Sequence, residues 1–149
     1  MKETFQEIRI PSAVHAEIMR GKEIGSPDVP VIQEAIREGW IVVVKLRIAS
    51  KSLPEELGDG EKEAISLTQK LGRKADWLLM DDELAAESAR SLGLVVRPAS
   101  YLPIFWTKGG DMTVSEALEM LDELVQGGYR LSSKDYMEIR NIILGRPRL

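Results

Sequence analysis

A chain of 149 residues with a net charge of −4 has room for one domain around one core, and its acidity argues against a broad basic surface that holds nucleic acid by charge alone. The absence of cysteine excludes disulfides, thiolate chemistry and cysteine-ligated zinc, and a single His excludes the usual zinc sites. Any metal would be held by carboxylates, which suit Mg²⁺ or Mn²⁺, and a site of that kind is acidic when empty yet meets phosphates through its cations.

Residues 7–10 (EIRI) predict a short strand, closed by Pro11. Ser12 is placed to cap a helix over residues 13–20, which Gly21 ends. Residues 22–30 read as a loop with Gly25, Pro27 and Pro30 as breakers. Val31, Ala35 and Ile36 share one face of a helix over residues 31–38, stopped by Gly39. The β-branched run at 40–44 (WIVVV) predicts a strand buried on both faces.

Residues 45–59 are irregular and charged. A helix over 60–71 turns Ala64, Ile65, Leu67 and Leu71 inward and ends at Gly72. A buried strand at 77–80 (WLLM), a helix at 83–92 ended by Gly93, and a short strand at 94–97 follow. The order β-α-α-β-α-β-α-β predicts a parallel sheet with helices on both faces.

Past Pro98 the pattern changes. Residues 101–106 (YLPIFW) are apolar and aromatic but interrupted by Pro103, and 108–111 form a turn. Thr113 and Glu116 make a capping box for a helix to Gln126, ended by Gly127 and Gly128. Ser132 or Ser133 caps a last helix to Leu144, before Gly145 and a basic tail (RPRL). No linker divides the chain, so residues 1–149 read as one domain. No stretch has the length of a signal peptide's apolar run or of a membrane span, which makes the cytoplasm the expected location and a membrane an unexpected partner.

The chemistry is concentrated between Asp59 and Leu94. A helix opens with Gly-Glu-x-Glu, and a buried strand ends in Asp81-Asp82 at the turn into the next helix. In a parallel sheet that turn lies at the C-terminal edge of the strands, where ligands bind. One reading is a carboxylate cluster that holds a divalent cation for phosphodiester hydrolysis, the cation activating water and stabilising the leaving oxygen. The other is structural: Asp82 caps a helix, and Glu61 and Glu63 decorate a first turn whose positive end favours acids. Spacing alone favours the second.

The strings GEKEAISL and LLMDDELAAESARSLGLVVRP resemble the central signature of a VapC-like group of PIN domains. Upstream, IRIPSAVHAEI is similar to that family's strand, Ile-Pro and following acid, which makes Glu17 the matching residue. The closing LDELVQGGYRLSSKDYMEIRNIIL is similar to its last turn and helix, so the resemblance covers nearly the whole chain. It implies a PIN-like three-layer α/β/α fold with a central parallel sheet, here missing the first strand and helix together with the Asp that strand carries. It implies a Mg²⁺- or Mn²⁺-dependent ribonuclease of toxin–antitoxin type, with RNA as substrate and an antitoxin protein as partner. Carried over by position, the acids are Glu17, Glu61 or Glu63, and Asp82, with Asp81 beside it as a further metal ligand. A second departure is the bulky segment 98–103 (PASYLP) where the family has a small loop.

These readings lead to a VapC-type nucleic-acid-binding protein with impaired activity, or alternatively to a non-catalytic PIN-like module for protein–protein interaction. Loss of a strand beside exposed edges predicts a homo-oligomer. His15 reads as a rim residue, Trp40 and Trp77 as core, and Tyr101, Phe105 and Trp106 as core with an interface as the alternative. Arg146 and Arg148 read as a solvated tail.

Overall fold

The computed structural model describes residues 7–47 and 52–147. The chain forms two compact units, Met1–Arg97 and Pro98–Leu149. In the first, β1 (Ile8–Pro11) runs into α1 (Ser12–Arg20), a 3-10 turn (Gly21–Ile24), α2 (Asp28–Arg37) and β2 (Ile41–Val44). Then come α3 (Asp59–Leu71), a 3-10 turn (Gly72–Lys74), β3 (Leu78–Leu79), α4 (Glu83–Ser91) and β4 (Val96–Arg97). The mixed order and the parallel sense of the strands are those expected from the sequence. Residues 48–51, within the expected irregular stretch, and Arg148 lie outside the described residues.

β1 pairs with β2 in parallel, Ile8 opposite Ile41 and Pro11 opposite Val44. β3 pairs with β4 in parallel, Leu78 opposite Val96. Among the described residues no ladder joins the two pairs. α3 packs against β1 and against β3, and also against α1 and α4. β1 and β3 are therefore the strands that this helix covers in common. The Ile8 N–H donates to the Trp40 carbonyl, the Leu78 N–H to Val95 and the Met80 N–H to Arg97. Successive backbone groups of a strand face opposite edges, so Arg9 and Leu79 turn theirs away from β2 and β4.

The core of this unit gathers Leu53, Leu57, Ile65, Leu78, Ala85, Ala86, Ala89 and Val96. The buried residues of α4 are three alanines, Ala85, Ala86 and Ala89, which lets the helix approach its neighbours closely. Coverage of β2 is thinner than its apolar run predicts: all four residues are half-buried, and so are Trp40 and Trp77. The deeply buried tryptophan is Trp106, at 5% exposure. α2 starts three residues before the expected position because Pro30 falls inside its first turn. An N–H there would have no partner within the helix, so proline costs little.

In the second unit a 3-10 turn (Ala99–Tyr101) leads into α5 (Leu102–Gly109), followed by α6 (Val114–Gln126) and α7 (Ser133–Ile143). Pro103 does not break the apolar run; it sits in the first turn of α5 and helps to start it. The capping box forms as expected: the Thr113 N–H donates to Glu116 Oε2 at 2.8 Å and the Glu116 N–H to Thr113 Oγ1 at 3.2 Å. Hydrogen bonds from the Thr113 side chain and backbone hold the Glu116 carboxyl below its ordinary value. Ser132, rather than Ser133, caps α7, accepting from the Asp135 N–H at 3.0 Å. Ile104, Ala117, Leu121 and Ile143 form this unit's core. The Tyr136 hydroxyl donates to Asp122, tying α7 to α6.

Ile65 and Leu121 are fully buried, one in each unit's core. Truncation of either to Ala is expected to lower stability by about 2–5 kcal/mol, through lost transfer energy and an unfilled cavity. Urea denaturation of the full chain measures this.

Candidate acidic site

The site starts where β1 ends. Pro11 precedes α1 in an extended conformation and has no side chain to cap the helix. Ser12, the expected cap, is itself helical. The cap comes instead from α3, fifty residues away: Glu63 Oε2 accepts from the Ala13 N–H at 2.9 Å. The same oxygen accepts from Ser12 Oγ at 3.3 Å. One orphan amide of α1 is thereby satisfied by a charged acceptor at the positive end of the helix.

Glu17 lies one turn further along α1 and rests on Gly60, in the first turn of α3. A Cβ at Gly60 would stand 2.8 Å from Glu17 Oε1 and 3.3 Å from its Oε2. Glu61 folds its carboxylate back against Gly58, the residue that precedes α3. Glu17 is exposed, Glu61 and Glu63 are half-buried, and Gly60 is buried. Three of the sequence-predicted acids thus share the first turns of α3, where the aligned peptide dipoles favour negative charge.

Asp82 is elsewhere engaged. It precedes α4, and its Oδ1 accepts from the Ala85 N–H at 2.8 Å. Asp81 and Asp82 are both exposed in the turn that leaves β3. Among the described residues no group of three His, Asp or Glu side chains is placed to hold one metal ion. His15 is half-buried on α1. Ser12 and Gly60 were not legible as members of this site. The only sequence signal is a glycine in a helix's first turns, where Ala would be favoured by propensity.

A family model described as a PIN domain matches residues 1–143. The chain belongs to the PIN-domain family. Comparison with curated proteins and with solved structures finds no match. The mixed helix and strand order with parallel pairing accords with the family's α/β/α fold, and membership makes this a nuclease-like domain of a nucleic-acid-binding class. PIN domains generally depend on a divalent cation, and the carboxylates of this one do not fit such a centre as they stand. Glu63 and Asp82 each hold a helix amide, and among the described residues no three acids are placed around one ion. No helix among the described residues is long and apolar enough to cross a membrane.

Asp82 carries a cap whatever else it does. Asp82→Ala is expected to cost about 1 kcal/mol of stability, while Asp82→Asn, which keeps an acceptor oxygen, stays within a few tenths of that lost cap's wild-type level. Urea denaturation separates the two, and the Asn variant is then the one suited to assays of function.

Proposed function

We propose that this PIN domain is a VapC-type protein, related to the metal-dependent ribonuclease toxins of toxin–antitoxin systems, whose activity toward RNA is impaired in this form. The observation that carries the reading is the family match over residues 1–143. The order of the acids supports it: Glu17 lies on α1, Glu61 and Glu63 in the first turns of α3, and Asp81 and Asp82 follow β3. The partners on this reading are RNA and an antitoxin protein, and the cation is Mg²⁺ or Mn²⁺.

Impairment is supported by the geometry of the acids and strands. The family's Asp-bearing first strand has, on this reading, no counterpart among the described strands. The separation of the β1–β2 and β3–β4 pairs agrees with that. Each missing carboxylate makes it harder to hold a hard cation that dehydrates reluctantly. The test is cleavage of a fluorescent single-stranded RNA in Mn²⁺. The chain is expected to cleave weakly or not at all, and a form extended by an Asp-bearing strand to cleave faster, with Asp82→Asn abolishing the gain. Strong cleavage by the chain that survives Asp82→Asn would overturn the assignment.

A non-catalytic interaction module is the second reading, favoured by exposed apolar side chains. Leu79, Leu84, Leu92 and Val95 are each at least 40% exposed in the first unit. These side chains, like the turned-out backbone of Arg9 and of Leu79, are groups that a second chain would cover. Both readings lead to a homodimer or larger oligomer. Light scattering at micromolar concentration is expected to report a mass above that of one chain, and a monomer would count against it.

A further inference from the structure

Two carboxylate contacts join α1 to α3. Glu63 reaches Ala13 and Glu17 reaches Gly60. The order is reversed along the two helices, since 13 precedes 17 on α1 while 63 follows 60 on α3. The helices therefore cross in opposite directions, with the contacts one turn apart on each. Neither contact is replaceable by a neighbour. Pro11 offers α1 no side-chain cap, and the three atoms nearest to a Cβ built on Gly60 all belong to Glu17.

Gly60 lies within a helix and its φ is not in the left-handed region. Nothing in its backbone requires glycine, and helix propensity favours Ala there. The nearest atoms that an added methyl group would meet are those of the Glu17 carboxylate. The absent side chain is a seat for that carboxylate.

We propose that Gly60 and Glu63 are positioning residues for Glu17. Glu63 fixes the first turn of α1, and with it the direction from which Glu17 projects. Gly60 leaves the space in which its carboxylate settles, against the first turn of α3. Any consequence for RNA cleavage rests on the nuclease reading above, whereas the geometry does not. The inference separates the two glutamates of the Gly-Glu-x-Glu segment: Glu63 is held by α1, while Glu61 folds over its own helix start.

The test uses the full chain, free of metal and RNA, with Gly60→Ala, Glu63→Ala and Glu63→Gln. Three quantities are read: the melting temperature, the exchange rate of the Ala13 amide, and the carboxyl ¹³C resonance of Glu17. Gly60→Ala is expected to hold or raise the melting temperature while shifting the Glu17 resonance, a combination that a merely structural role would not give. Glu63→Ala is expected to speed Ala13 exchange roughly five- to tenfold, as loss of a cap does, and to shift Glu17 as well. Glu63→Gln keeps an acceptor oxygen and is expected to restore both. A Glu17 resonance unmoved by Gly60→Ala or by Glu63→Ala would overturn the proposal. Manganese-dependent RNA cleavage is then measured on the same variants. Shifted Glu17 resonances in a chain that cleaves no RNA in any form would leave the positioning roles standing and remove the nuclease reading.

Discussion

The first unit depends on α3. Two parallel strand pairs, which share no hydrogen-bonded ladder among the described residues, lie against this one helix, which also meets α1 and α4. A continuous sheet would hold its strands in register through backbone bonds. Here the burial of Ile65, together with Leu78 and Val96 from the β3–β4 pair, does part of that work. Apolar burial is not directional, so the polar contacts at the start of α3 carry the orientation. Glu63 and Glu17 supply it on the α1 side, and α1 continues directly from β1, the strand paired with β2.

Much of this arrangement is legible in the sequence because it depends on local chemistry. Gly39, Gly72 and Gly93 end their elements as read, each with a positive φ. The capping box of α6 follows from Thr113 and Glu116 being three apart, and the parallel sense of the strands follows from their alternation with helices. Proline misleads twice. Pro30 and Pro103 look like breakers, but both fall in first turns, where no intrahelical donor is lost. The apolar run at 40–44 points to full burial, yet hydrophobicity states only what a strand would tolerate on its faces, not what covers them.

The acids show a different kind of limit. Sequence places Glu61, Glu63 and Asp82 at element starts, and structural and chemical readings of them are both physically sound. Glu63 and Asp82 have amide partners in Ala13 and Ala85. For Asp82 that partner is three residues away and follows from local pattern. The partner of Glu63 is not local at all, and neither is that of Glu17. No periodicity or propensity carries a contact between Ala13 and Glu63, because it exists only once two distant helices have met. The family resemblance names these residues but does not distinguish those that face outward from those that hold the scaffold.

That distant contact has a consequence for the order in which the molecule assembles. α1 has nine residues, too few for an isolated helix to persist in water, and its cap resides on a segment separated from it by fifty positions. During synthesis the amino-terminal residues emerge well before Glu63 does. The carboxylate that caps α1 is not in place until α3 has formed and docked. Closing the intervening loop carries an entropic cost that must be met before the cap gives anything back. The cap of α1 thus exists only where two segments fifty positions apart have met, and the β1–α1 corner owes its first turn to that long-range closure.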